Sequence, residues 1–193
     1  MKIYVTGLGV VSGIGLGVAE NIASLRKHQH GMGKVTLFPT ELNVPVSEVK
    51  YSNEELKRLL SLDIQKTFSR TALLGMLAAR EAVDDARLDL NTLRVGFISS
   101  TSVGGMDLSE HFYNAFKKDN RKGRLREVIS HDCGASTEMI ADYLKVNDFV
   151  TTISTACSSA ANAIMLGARM IRNGQLDTAI VGGTDALCKF TLN

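Results

Sequence analysis

Short apolar runs alternate along the chain with longer stretches of helical spacing. Lys2 to Val11 is an apolar run entering a glycine-rich turn, and it reads as a buried strand. Leu16 to Lys27 reads as the first helix. Residues 28–52 show no clear period, contain both prolines (Pro39 and Pro45), and read as irregular. Ser52 followed by Glu55 has the spacing of a capping box and predicts a short helix. Leu73, Leu74, Leu77, Ala78 and Val83 recur at helical spacing and predict a long helix from about Lys66 to Arg87. Arg94 to Ser100 is a second strand. Helical patterns follow over Gly105–Lys118 and Thr137–Val146, with a basic, flexible-looking run, Lys117 to Arg126, between them. Phe149 to Ser154 is β-branched and strand-like. Ser158 to Asn173 reads as a helix stopped by Gly174, apolar nearly all round and therefore expected to be buried. Asp177 to Gly183 is a further strand. Strands separated by helices predict an α/β fold with a mostly parallel, covered sheet in one domain.

Composition narrows the function classes. The 193 residues suffice for one domain with a real core, and 45% hydrophobic and 22% charged residues are ordinary for a globular protein. A net charge of +2 gives no bulk argument for nucleic acid or an anionic membrane, although local basic patches would still suit an acidic protein. No stretch approaches the roughly 18 apolar residues of a membrane span. Five glycines interrupt the first seventeen residues, which do not read as a signal peptide. Cys133, Cys157 and Cys188 have no CxxC spacing, so neither a disulfide framework nor a zinc site is expected; a reducing compartment fits, and the cytoplasm is the expected location. The histidines (His28, His30, His111, His131) form no metal-binding pattern.

Cys157 carries the chemistry. Strand, Thr155-Ala156-Cys157, then helix puts its sulfur at the carboxyl end of a strand and the first turn of a helix, a favoured place for sites in α/β sheets. The unpaired N–H groups and the dipole of that helix stabilise a thiolate, and the same N–H groups would hold an oxyanion when the thiolate attacks a thioester carbonyl. Ala156, Ser158, Ser159, Ala160 and Ala161 are small and leave room for a ligand. The alternative is that Cys157 is one more small buried residue.

Four segments, in order, resemble the N-terminal half of a β-ketoacyl-acyl-carrier-protein synthase of the elongating type: YVTGLGVVSGIGLG, FSRTALLGMLAAREAVDDARL, STSVGG and ISTACSSAANAIMLGARMIRNGQLDTAIVGGTDAL. The last is the most specific. The resemblance implies a thiolase-like fold, in which this chain is the N-terminal αβα half of a five-layer αβαβα sandwich with a mostly parallel mixed sheet. It implies an acyltransferase: Cys157 takes an acyl chain from an acyl carrier protein, and a malonyl carrier protein then loses CO2 and condenses with it, in fatty acid or polyketide synthesis. No resident cofactor is implied, because phosphopantetheine arrives on the carrier protein. The implied partners are the acyl carrier protein, a second copy paired through strand 149–154, and a C-terminal half of the same enzyme.

Residue by residue, Cys157 matches the nucleophile, with its N–H as one oxyanion donor, and Val103 in STSVGG matches a position that gates the acyl pocket. Ala156, His131 and Cys133 fall where the family lines or borders that pocket. His131 matches neither catalytic histidine of the family and reads as a pocket or structural residue, and Asp185 as a structural carboxylate tying down a loop. Two basic groups stand as carrier-docking candidates: Lys57, Arg58, Lys66 and Arg70, and the run Lys117, Lys118, Arg121, Lys122, Arg124 and Arg126.

The resemblance implies a protein of roughly twice this length, so the chain is expected to be a truncated piece, lacking the family's histidines and inactive in condensation by itself. Three rivals remain. A dinucleotide-binding fold fails on spacing, because Ser12 stands where GxGxxG needs its last glycine after Gly7 and Gly9. A non-catalytic acyl-binding or scaffold subunit would have an unreactive Cys157. A Cys–His hydrolase would need His111 or His131 within reach of the sulfur.

Overall fold

The computed structural model describes residues 2–192. In chain order the elements are β1 (Val11–Ser12), β2 (Gly15–Leu16), α1 (Val18–Arg26), β3 (Met32–Gly33), β4 (Val46–Ser47), α2 (Asn53–Leu59), α3 (Arg70–Ala86), β5 (Val95–Ser100), α4 (Met106–Lys118), α5 (Leu125–Ile129), α6 (Cys133–Leu144), β6 (Phe149–Ile153), a 3₁₀ turn (Ala156–Ser158), α7 (Ser159–Arg172), β7 (Thr178–Val181) and α8 (Lys189–Leu192).

The main sheet has the order β6-β5-β7, and all three strands are parallel. Every residue of central β5 is buried. Strand alternation sends its side chains to two layers. Val95 and Phe97 join Leu73, Leu77, Ile140 and Ala141 in the core built with α3 and α6. Ile98 faces the other way, toward Gly167 of α7, where an added Cβ would also meet the Val181 side chain at 2.6 Å. The result is an αβα layering with the core chiefly on the α3–α6 side. β1–β2 and β3–β4 are separate two-stranded antiparallel ladders. Local signals explain several boundaries. Ser52 and Glu55 form the capping box of α2, and the Ser69 hydroxyl caps α3 at Ala72 N, which starts that helix later than periodicity alone suggests.

Residues 2–10 depart from expectation. They form no strand; Tyr4 and Val5 are 72% and 81% exposed. An extended segment becomes a strand only beside a partner, and these residues have none among those described. They lie instead across α3, close enough that a Cβ on Gly9 would sit 1.8 Å from the Ala78 carbonyl oxygen. The N–H groups of Leu8 and Val10 donate to Asp85 and Glu81. The basic run also differs, because α5 begins within it. In α7, Ile164 and Met165 are 55% and 43% exposed, so the expected all-round burial does not hold. One face, through Ala163 and Gly167, packs on the sheet, and the other stands open.

Asp177 ties the start of β5 to the approach to β7. Its carboxylate accepts from Arg94 N, Nε and Nη2 at 2.7–3.1 Å. These bonds hold its pKa down to about 2. A depressed carboxylate contributes stability that is present above its unfolded value near 3.9 and is lost as pH falls through the folded value. Asp177→Asn is therefore expected to reduce the fall in stability between about pH 4 and pH 2, with little change in its slope above pH 6. Urea titrations of both proteins across that range measure it; identical profiles would contradict it.

Candidate active site

The approach to Cys157 is a sharp turn. β6 ends at Ile153, Thr155 has φ −129° and ψ 41°, and Ala156 adopts φ +53°, a left-handed conformation that costs a non-glycine residue about 1–2 kcal/mol. The 3₁₀ turn and the 14-residue α7 follow directly. Cys157 is exposed on this turn at the N-terminal end of α7. Among the described residues its N–H enters none of the hydrogen bonds that shape the turn, which use the N–H groups of Thr155, Ser158 and Ser159.

Side chains brace the turn. The Ser159 hydroxyl accepts from Thr155 N and donates to Ala156 O, each at 2.7 Å. Ser158 Oγ donates to Thr155 O at 2.9 Å. Asn162 Nδ2 donates to Thr155 Oγ1 at 2.9 Å and more distantly to Ser158 Oγ. The serines and Asn162 thus form a hydrogen-bonded frame, where sequence reading saw only small neighbours. Their spacing one, two and five residues after the cysteine was the available signal.

The glycine-rich loop is positioned by Asp185. Oδ1 accepts from Thr101 Oγ1 at 2.6 Å, Ser102 N at 2.8 Å and Val103 N at 3.2 Å. The structural reading of Asp185 is what the geometry shows. Val103 is buried. Gly104 has φ +56°, and a Cβ on Gly105 would lie 1.7 Å from the Ser130 carbonyl oxygen, so the loop presses directly on residues 130–132. The same contact fixes His131, whose carbonyl accepts from Gly105 N while its exposed ring Nδ1 meets Ser109 Oγ at 2.8 Å. Cys133, half-buried at the start of α6, approaches Ser154 Oγ at 3.9 Å. Cys133 is therefore tied to the strand leading into the Cys157 turn, and His131 to Val103 through the loop.

His111 pairs with buried Glu127 at 3.1 Å. Neither His111 nor His131 hydrogen-bonds to Cys157 among the described residues, which removes the geometry a Cys–His hydrolase needs. Cys188 is buried, and burial pushes its thiol pKa up. Among the described residues no cluster of three or more His, Cys, Asp or Glu side chains is arranged to hold a metal, and no helix is long and apolar enough to cross a membrane. A cleft of about 1220 Å³ runs between residues 9–13, α3, α4 and residues 183–189, and Cys157 does not line it.

Arg70 does not present its charge to solvent, as a docking residue would. It is buried, and its guanidinium donates to Val49 O, Tyr51 O and Asn53 Oδ1. Lys57 is also engaged, donating to Ile64 O and Lys66 O. Arg58, Lys66 and the basic residues 117–126 are exposed.

Residues 1–191 match the family model described as beta-ketoacyl synthase, N-terminal domain. The chain belongs to the beta-ketoacyl synthase family. It is 28% identical over 193 residues to nodulation protein E of Rhizobium sp. (strain N33), covering 96% of this chain and 47% of that protein. It is 28% identical over 195 residues to 3-oxoacyl-[acyl-carrier-protein] synthase 2 of Staphylococcus aureus (strain MRSA252), covering 96% and 46%. The chain thus spans about half the length of these relatives. Among solved structures, the ishigamide ketosynthase/chain length factor superposes with a TM-score of 0.87 at 29% identity, over 97% of this chain and 48% of that one. A beta-ketoacyl synthase from Burkholderia phymatum STM815 shares the fold at 17% identity and a TM-score of 0.69. The αβα layers of this beta-ketoacyl synthase domain are the N-terminal half of the thiolase-like fold, and the strand–turn–helix around Cys157 is part of it.

Proposed function

We propose that Cys157 is the acyl-accepting nucleophile of a β-ketoacyl-acyl-carrier-protein synthase. The observation that carries this reading is an exposed thiol on a left-handed turn, at the carboxyl end of a parallel strand and the amino end of α7. Cys157 attacks the thioester carbonyl. Its sulfur bonds to the acyl carbon of a carrier-bound thioester, the carbon–sulfur bond to the carrier's phosphopantetheine breaks, and the departing thiolate takes the proton that Cys157 gave up. The free Cys157 N–H would stabilise the oxyanion formed between these events. Val103 gates the acyl pocket, and Ala156, His131 and Cys133 border it. Malonyl carrier protein then supplies the carbanion for condensation after losing CO2.

The partners follow from the same reading. An acidic carrier protein would meet exposed Arg58 and Lys66 or the basic run through residues 117–126. β6 is an edge strand with β5 as its neighbour, so residues 149–154 would pair with the same strand of a second copy in the cytoplasm. The open Ile164–Met165 face of α7 would be covered by a C-terminal half of the kind that completes the family's length. Among the described residues no histidine hydrogen-bonds to Cys157, so this chain alone would load an acyl group and not condense it.

Incubating the chain with an acyl carrier protein that bears an octanoyl thioester tests the reading. The expected result is release of the carrier thiol and gain of one octanoyl mass by this chain, with no β-ketoacyl product when malonyl carrier is added. No transfer would favour a non-catalytic acyl-binding or scaffold subunit. Release of free octanoate, lost in His131→Ala, would favour a hydrolase.

A further inference from the structure

We infer that Ser159 is a positioning residue that aims the Cys157 N–H at the developing oxyanion. The inference rests on Cys157 being the nucleophile and adds a residue that acts through it.

Cys157 N–H and Ala156 C=O belong to one planar trans peptide unit, so they point in opposite directions. Whatever holds the Ala156 oxygen therefore sets the direction of the Cys157 N–H. Ser159 holds it twice. Its backbone N–H donates to Ala156 O as the first turn closes, and its hydroxyl donates to the same oxygen at 2.7 Å. The hydroxyl oxygen also accepts from Thr155 N at 2.7 Å, so one side chain spans the turn from the residue before the left-handed Ala156 to the Ala156 carbonyl. Ser159 is 5% exposed, which excludes water as an easy substitute for either bond. With the carbonyl drawn to the helix side, the Cys157 N–H is turned away from it. No acceptor among the described residues meets that N–H. Ser158 and Asn162 brace Thr155 but do not touch the Ala156 oxygen, so Ser159 is the side chain that fixes this peptide plane.

Two reactions of the same sulfur separate positioning from plain structural support. Alkylation by iodoacetamide is a displacement that forms no oxyanion. Acylation by a thioester passes through one. In Ser159→Ala, acylation of Cys157 by an octanoyl thioester is expected to slow about tenfold relative to wild type, as losing one charge-assisted donor orientation implies. Alkylation at the same pH should change less than about twofold, because thiol exposure is retained. Ser159→Thr keeps the hydroxyl and is expected to recover most of the acylation rate; it carries the test if the alanine variant does not fold. Wild-type acylation rates in Ser159→Ala, equal loss in both reactions, or a folded Ser159→Thr as slow as the alanine variant would overturn the inference. A wild-type chain that accepts no acyl group sinks the nucleophile reading itself, and this inference with it.

Discussion

Cys157→Ser is expected to lower acyl loading by roughly three orders of magnitude or more while leaving stability within about 0.5 kcal/mol of wild type. The side chain is exposed and does not belong to the hydrophobic core of the described residues, so the substitution removes chemistry and little else. Among the described residues a serine hydroxyl at this turn would have no histidine hydrogen-bonded to it as a base, because His131 is held by Ser109 and His111 by Glu127. A helix terminus does not ionise an alcohol at neutral pH. Thioester transfer followed by mass, with urea unfolding alongside, measures both halves. Loading at half the wild-type rate or more would contradict the assignment.

Arg70→Ala is expected to cost about 3 kcal/mol of unfolding free energy, the scale for breaking a buried charged network. The guanidinium spends its donors on Val49 O, Tyr51 O and Asn53 Oδ1, anchoring residues 49–53 to the start of α3. Burial disfavours its charge, and nearby Asp107 and Glu48 offset that. Without the arginine these two carboxylates lose their neighbouring cation. Burial likewise pushes the Asp107 pKa up. Arg70→Lys is expected to lose much of the same stability, since an ammonium cannot reproduce the fork. Urea midpoints test both. Unchanged stability in Arg70→Ala, with weaker carrier-protein binding, would restore Arg70 as a docking residue.

What was legible in the sequence was mostly local. β6, the helix after Cys157, and β7 were readable because β-branched runs, helical spacing and Gly174 act within a few residues. The capping box at Ser52 was readable for the same reason, whereas the loop-tying role of Asp185, whose partners Thr101, Ser102 and Val103 are remote in sequence, came from the family resemblance. Residues 2–10 were not, because an apolar run does not carry its strand partner with it. Arg70 misled because its acceptors lie about twenty residues earlier, and charge alone suggests solvent. α5 was missed because it begins at the end of the basic run, where Leu125, Val128 and Ile129 carry a helical spacing just after and around Arg126. In α7, composition suggested burial on every side, but the sheet covers only the Ala163–Gly167 face. At the site, the place of Cys157 between a strand and a helix was legible and its frame was not: small size was read as space, whereas Ser158 and Ser159 make hydrogen bonds that hold the turn.

The most direct test of the account is to locate the acyl group. The chain is treated with an octanoyl thioester, digested, and its cysteine peptides sequenced by tandem mass spectrometry before and after neutral hydroxylamine. The account predicts an octanoyl mass on Cys157, released by hydroxylamine as a thioester must be, with Cys133 and Cys188 unmodified. An acyl group on Cys133, on a serine, or on no residue would contradict it.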